Sequence, residues 1–151
     1  MYTHLEDYIH DLYNFIGITE PRDLDMLLIS KKLGIEVIYR DNAFRFDNEI
    51  VLIRRDEKEE WVDFGHEVCH FLRHSGSQPR MNPLFVELQE WQADNFMYHF
   101  CVPTFMLHAL DLPRDRKKAI WEIQKNFNVN YDFAEKRLEK FTQQHAYVML
   151  S

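Results

Sequence analysis

At 151 residues, 46% of them hydrophobic with only 4 glycines and 5 prolines, the chain has the makeup of one compact, helix-rich domain, not of a disordered or fibrous segment. A net charge of -7 argues against general nucleic-acid binding, and two cysteines are too few for a disulfide framework. No apolar run approaches the ~20 residues of a membrane span, and residues 1–7 lack the basic-then-apolar pattern of a secretory signal, so a cytoplasmic location is expected. Cys69 and Cys101 read as small buried thiols. Residues 114–151 are net basic against an acidic remainder, which reads first as a solvated helix face.

Leu5, Tyr8, Ile9, Leu12 and Ile16 recur with helical spacing and stop at Gly17, predicting an amphipathic helix. A second helix is expected to open at Thr19, Glu20 and Pro21, to carry Leu24, Leu27 and Leu28, and to stop at Gly34. Three short strands are expected next, at residues 35–39, 44–46 and 50–53, with turns between them at Asp41 and Asn42 and at Asp47 and Asn48. Tight turns between successive strands predict a small, largely antiparallel sheet.

Asp56 and Glu59 then form a capping box that opens another helix. Trp61, Phe64, Val68, Phe71 and Leu72 fall on one side of it, for packing on the sheet, while Asp63, His66, Glu67, His70 and His74 fall on the other. After a polar loop at residues 75–80, residues 84–101 read as helical up to Pro103, with Glu87, Glu90 and Asp94 in one stripe beside Ala93, Met97 and Phe100. A short helix is expected at residues 104–110, and another from Pro113 to about Phe127. Asn128, Val129 and Asn130 form a turn, with Asn130 as N-cap of a last helix over residues 131–143 that carries Phe133, Leu138 and Phe141.

His66-Glu67-Val68-Cys69-His70 is a H-E-x-x-H pentad, a pattern that a chain rich in His and Glu also produces by chance. On a helix its two imidazoles are about 400° and roughly 6 Å apart, so they share a face and can ligate one Zn²⁺. Glu67 lies on nearly the same side and can reach a water at the metal without being a ligand. A carboxylate stripe is costly to bury unless it is paired or bound to a cation, so the helix carrying Glu90, 20 residues past His70, can supply a third ligand. Two imidazoles and one carboxylate leave a fourth position open, as catalytic sites do. There Glu67 would take a proton from the attacking water and deliver it to the leaving amine. Asp94, one turn after Glu90, is the carboxylate expected to hold a ligand imidazole by its other N–H, with Glu87 and Asp63 as alternatives.

His74 extends the stripe, but three histidines on one straight helix span about 12 Å against Zn–N bonds of ~2.0–2.1 Å. It is therefore read as a rim residue that touches substrate or caps the helix end. A metzincin extension would need Gly at 73 and His at 76, where this chain has Arg73 and Gly76. Cys69 is turned away from both imidazoles. Tyr39, Tyr98 and His99 are all available as oxyanion donors, and the sequence does not choose among them.

Residues 56–103 resemble the ImmA/IrrE family of zinc metallo-endopeptidases. The resemblance is carried by Phe64-Gly65-His66-Glu67-Val68-Cys69-His70-Phe71-Leu72-Arg73-His74, by Glu90-Trp91-Gln92-Ala93-Asp94-Asn95-Phe96 and by Cys101-Val102-Pro103. The family pattern is similar to A-H-E-x-G-H-x-x-x-H followed by E-x-x-A-x-x-F-A-x-x-L-L-M-P. Leu33-Gly34-Ile35-Glu36-Val37 and the late Arg137-Leu138 also look like family features. The Glu90 and Asp94 pair is similar to one in thermolysin-like zincins. The resemblance implies metal ligands at His66, His70 and Glu90, the general base at Glu67, and one zinc per chain. Its implied substrates are helix-turn-helix repressors of phages and mobile elements. Departures stand at Gly65 and Met97 for Ala, Cys69 for Gly, and Cys101-Val102 for Leu-Met; none removes a ligand or the base.

The expected fold is α+β and zincin-like: mostly helical, with a three-stranded, largely antiparallel sheet on the H-E-x-x-H helix. One metallopeptidase domain over residues 1–151 would hold its metal site within about residues 56–103 and a helical part over about 104–145. Residues 36–47 are the candidate edge for pairing with an extended substrate segment. Two other functions compete with the protease. One is a non-catalytic module of the same fold that binds a repressor; the complete His66, Glu67, His70 and Glu90 set argues for the enzyme. The other is a DNA-binding regulator using the basic C-terminal helices, against which the overall acidity counts. Neither membrane association nor direct nucleic-acid contact is expected.

Overall fold

The structure, a computed structural model, describes residues 3–39, 48–75 and 93–150, without the side chains of 73–75 and 145–150. The first helix, α1 (His4–Ile16), opens on a capping box: Glu6 N–H donates to Thr3 Oγ1 at 3.1 Å and Thr3 N–H to Glu6 Oε1 at 2.7 Å. It closes at Gly17, whose φ of 79° is open to glycine without steric cost. Its stripe of Leu5, Tyr8, Ile9, Leu12, Tyr13 and Ile16 is buried, as the periodicity predicts.

The second expected helix is broken in two. Pro21–Asp23 makes a single 3₁₀ turn, and α2 (Met26–Leu33) starts afresh with Leu28 N–H donating to Asp25 Oδ1 at 2.9 Å. The reason is local competition, because Asp23 accepts from the Thr19 and Glu20 N–H groups and closes the first turn on itself.

The sheet also differs from expectation. Strands β1 (Glu36–Tyr39) and β2 (Glu49–Leu52) pair parallel, from Glu36 opposite Glu49 to Tyr39 opposite Leu52. Alternating side chains look the same in either orientation, so periodicity cannot supply strand direction. Direction depends on which ends of the two strands meet in the folded chain, and here Glu36 meets Glu49. The strand expected at residues 44–46, and most of the expected substrate edge, lie outside the described residues.

Helix α3 (Glu57–Ser75) begins at Asp56, whose Oδ1 accepts Glu59 N–H at 2.8 Å. Trp61, Phe64, Val68 and Leu72 are buried and Phe71 half-buried. Their partners are not the sheet alone. α4 (Ala93–Cys101 as described) lies antiparallel along α3, with Phe100 5.7 Å from the Trp61 ring and 6.0 Å from Phe64. Phe96 and Phe100 are fully buried, and Tyr13 O–H donates to the Phe100 carbonyl at 2.7 Å, tying α1 to the same helix. Both thiols are free and buried, as expected.

Gly65 is what lets α3 and α4 approach this closely. A Cβ there would sit 2.8 Å from Cys101 Sγ and 3.3 Å from Phe100 Cδ1. Gly65→Ala gains about 1 kcal/mol of helix propensity, but overpacking against buried groups costs about 1–3 kcal/mol. Net destabilisation of about 1 kcal/mol is expected in urea melts. Adding Cys101→Ala, which removes the clashing sulfur, should make the double variant more stable than the sum of the two singles.

The last three helices are α5 (Thr104–Leu110), α6 (Arg116–Phe127) and α7 (Tyr131–Leu150). α6 starts after Asp115, whose carboxylate accepts Lys118 N–H at 3.0 Å, and not at Pro113, which has no capping oxygen. Asn130 caps α7 as expected, accepting Phe133 N–H at 2.9 Å, but α7 runs well past residue 143. No helix among the described residues is long and apolar enough to cross a membrane.

Candidate metal centre

The solvent-side face of α3 brings the two pentad imidazoles together. His66 Nε2 and His70 Nε2 are 3.2 Å apart, with ring centroids separated by 4.9 Å and planes at 65°. Tetrahedral zinc with bonds of ~2.0–2.1 Å places adjacent ligand nitrogens about 3.3–3.4 Å apart, so the observed separation fits a shared ion. Two acceptor nitrogens held this close repel one another unless a proton or a cation lies between them.

The second observation is at the other end of the His66 ring. His66 Nδ1–H donates to Asp94 Oδ1 at 3.1 Å, which fixes the tautomer and leaves Nε2 with its lone pair. Asp94 begins α4, so the helix pairing set by Gly65 also delivers this carboxylate. Of the two alternatives, Asp63 is engaged elsewhere. Asp63 takes Arg55 Nη1 in a fork of 2.9 and 3.2 Å, while Arg55 also pairs with Glu59. Glu87 lies outside the described residues.

Glu67 is half-buried on α3 between the two histidines. Glu90 and the His74 side chain fall outside the described residues, and among the described residues no third His, Cys, Asp or Glu completes a metal-holding group. The three oxyanion candidates separate. Tyr39 lies under the Arg54 guanidinium at 3.5 Å, and its hydroxyl is held up in pKa by burial and by a hydrogen bond with Glu60. His99 is buried with Nδ1–H donating to the Asn95 carbonyl at 2.9 Å; burial and the Arg137 charge pull its pKa down to about 4. It is neutral and turned away from Asp94 on α4. Tyr98 is half-buried and stacked on Phe133 at 4.4 Å, one turn after Asp94 on α4.

Residues 22–139 match the peptidase M78 family through its IrrE N-terminal-like domain. The chain belongs to the ImmA/IrrE family of metallopeptidases. It is 48% identical over 150 residues to the phage-like element PBSX protein XkdA of Bacillus subtilis (strain 168), covering 95% of this chain and 76% of that protein. It is also 36% identical over 142 residues to the uncharacterized protein YqaB of the same organism, covering 90% and 83%. No solved structure gives a significant match.

Removing the Asp94 carboxylate tests its hold on His66. Loss of such an outer partner costs 10–100-fold in metal affinity, and because the Asp94 side chain is 78% exposed the lower end, about tenfold, is expected for Asp94→Ala. Competition with a zinc chelator measures it; an unchanged affinity would mean that the His66 contact does not orient the ring.

One structural feature was not anticipated as such. Arg137 on α7 is fully buried, with Nε donating to the Val102 carbonyl and Nη2 to Thr104 Oγ1, both at 2.8 Å. Thr104 Oγ1 donates in turn to buried Glu6 Oε2 at 2.5 Å. Burial pulls the Arg137 pKa down to about 10, while the Glu6 charge holds it up. The network pins the corner at which α4 ends. Its signal was an arginine between Phe133, Leu138 and Phe141 on an otherwise apolar stripe.

Proposed function

We propose that this chain is a zinc endopeptidase that cleaves a cytoplasmic regulatory protein, a helix-turn-helix repressor of a phage or mobile element. The observation that carries the reading is the 3.2 Å approach of two imidazole nitrogens, one of them oriented by Asp94. Family membership supports the peptidase class, and the phage-like element named for one relative supports the mobile-element setting.

His66 Nε2, His70 Nε2 and the Glu90 carboxylate would hold the metal. When bound, zinc supplies Lewis acidity at the scissile carbonyl and makes a water acidic enough to attack near neutral pH. Glu67 would act as the general base and acid, its carboxylate accepting a proton from the attacking water and returning it to the leaving amine. Asp94 keeps the His66 proton on Nδ1, so that Nε2 remains a ligand through the cycle. The Trp61, Phe64 and Phe100 cluster behind α3 keeps the face that carries these groups rigid.

Protein purified without chelator should carry about one zinc per chain by elemental analysis, as a three-ligand catalytic site requires. Co-expression with a helix-turn-helix repressor encoded beside its gene should yield two repressor fragments. A protein without metal would overturn the ligand set. A metal-loaded protein that binds the repressor intact would favour the non-catalytic module.

A further inference from the structure

We propose that the cavity at the start of α1, closed by α4 and α7, binds one hydrogen phosphate ion whose O–H donates to His99 Nε2. The cavity has a volume of about 260 Å³, room for such an ion with part of its water. None of His66, Glu67, His70 or Asp94 lines it, so the site is separate from the candidate metal centre. The proposal does not depend on the peptidase reading.

The charge of the wall points to an anion. In a chain of net charge -7, this cavity is lined by Lys140 and, among the described residues, by no carboxylate. Lys140 is half-buried on α7 and weakly held, with Nζ 3.4 Å from Asn95 Oδ1 and 5.2 Å from the centre of the Tyr98 ring. A partly desolvated ammonium without a counter-ion is costly, and an oxyanion supplies one. His4 and Leu5, the first two residues of α1, stand in the same wall. Their N–H groups precede the first intrahelical bond, from Asp7 N–H to the Thr3 carbonyl, at the positive end of the helix dipole. The charge of Glu6 reaches His99, but its carboxylate already accepts from Thr3 N–H and Thr104 O–H, and the Arg137 guanidinium offsets it.

His99 decides which anion. Its side chain is only 5% exposed, and Nδ1–H donates to the Asn95 carbonyl, so Nε2 carries the lone pair at neutral pH. Nε2 has no hydrogen-bond partner among the described residues and is not sealed from solvent, which leaves it open to the cavity that His99 lines. Burial and the Arg137 and Lys140 charges keep the ring neutral, with its pKa pulled down to about 4. A bare acceptor in a cationic cavity calls for a ligand that is anion and donor at once. Near pH 7.5 inorganic phosphate keeps one O–H, sulfate has none, and a phosphomonoester, with its second pKa of about 6, has almost none. An oxyanion without that proton would set its own lone pairs against Nε2.

The test titrates the full chain by calorimetry with inorganic phosphate, sulfate and methyl phosphate at about pH 7.5 and matched ionic strength. Phosphate should bind saturably, and sulfate and methyl phosphate about tenfold or more weakly, the loss of one charge-assisted hydrogen bond. Lys140→Gln should weaken phosphate by about tenfold or more while zinc content stays unchanged. His99→Gln, whose amide can donate, should close the gap between phosphate and sulfate. Because His99 is buried and that variant can fail to fold, the wild-type anion preference and Lys140→Gln decide the proposal without it. Phosphate resting on a bound metal would be indifferent to Lys140, so unchanged affinity in Lys140→Gln would overturn the site. So would wild-type protein that binds no phosphate. Equal wild-type affinity for phosphate and for either of the other ions would overturn the contact to His99.

Discussion

Glu67→Gln should keep the zinc and slow peptide cleavage by about 10²–10⁴-fold, the range for loss of a positioned general base. The amide has the shape of the carboxylate and the same place on α3, so the helix, the two imidazoles and the Asp94 contact should persist. What it lacks is the capacity to take a proton. Elemental analysis of the variant and initial rates on a cleaved substrate separate the two effects. Retained zinc with lost turnover assigns the proton transfer to Glu67; turnover within tenfold of wild type would place the base elsewhere. Loss of both would instead make Glu67 a part of the metal shell.

Arg137→Met should be the most damaging substitution for stability. The guanidinium is fully buried, and removing it strands the Val102 carbonyl and leaves the Glu6 carboxylate, only 3% exposed, without the nearby charge that offsets its burial. Breaking one side of such a buried charged network costs about 3–5 kcal/mol. For a chain of this size that is roughly a 10 °C fall in Tm. Adding Glu6→Gln removes the stranded charge, so the double variant should recover part of the loss. If Arg137→Met melts within about 2 °C of wild type, water takes up the network and the corner at Val102 does not depend on it. Because that corner ends α4, zinc affinity should fall alongside stability.

Which features were legible can be argued residue by residue. Helix ends governed by one side chain were readable: Asp56 and Asn130 cap the helices they were expected to cap, and Gly17 and Gly34 take the left-handed conformation that stops a helix. The histidine face was readable because 3.6-residue periodicity separates it from Trp61, Phe64 and Val68. Competing caps were not. Asp23 and Asp25 stand two residues apart, and only the folded chain shows that the first closes a turn and the second opens α2. The choice among Asp63, Glu87 and Asp94 was equally closed to sequence, since all three are carboxylates near the same stripe. Arg55 takes Asp63 out of contention, and the helix pairing brings Asp94 to His66.

The sequence by itself determined the residue types, their spacing on α3 and hence the shared face of His66, Glu67 and His70, because helical periodicity is a local property of the backbone. Only the tertiary structure decided that Asp94 orients His66 and that β1 and β2 run parallel. Each of these depends on how closely two elements remote in sequence approach. At α3 and α4 that distance rests on the missing Cβ of Gly65 against Cys101 and Phe100.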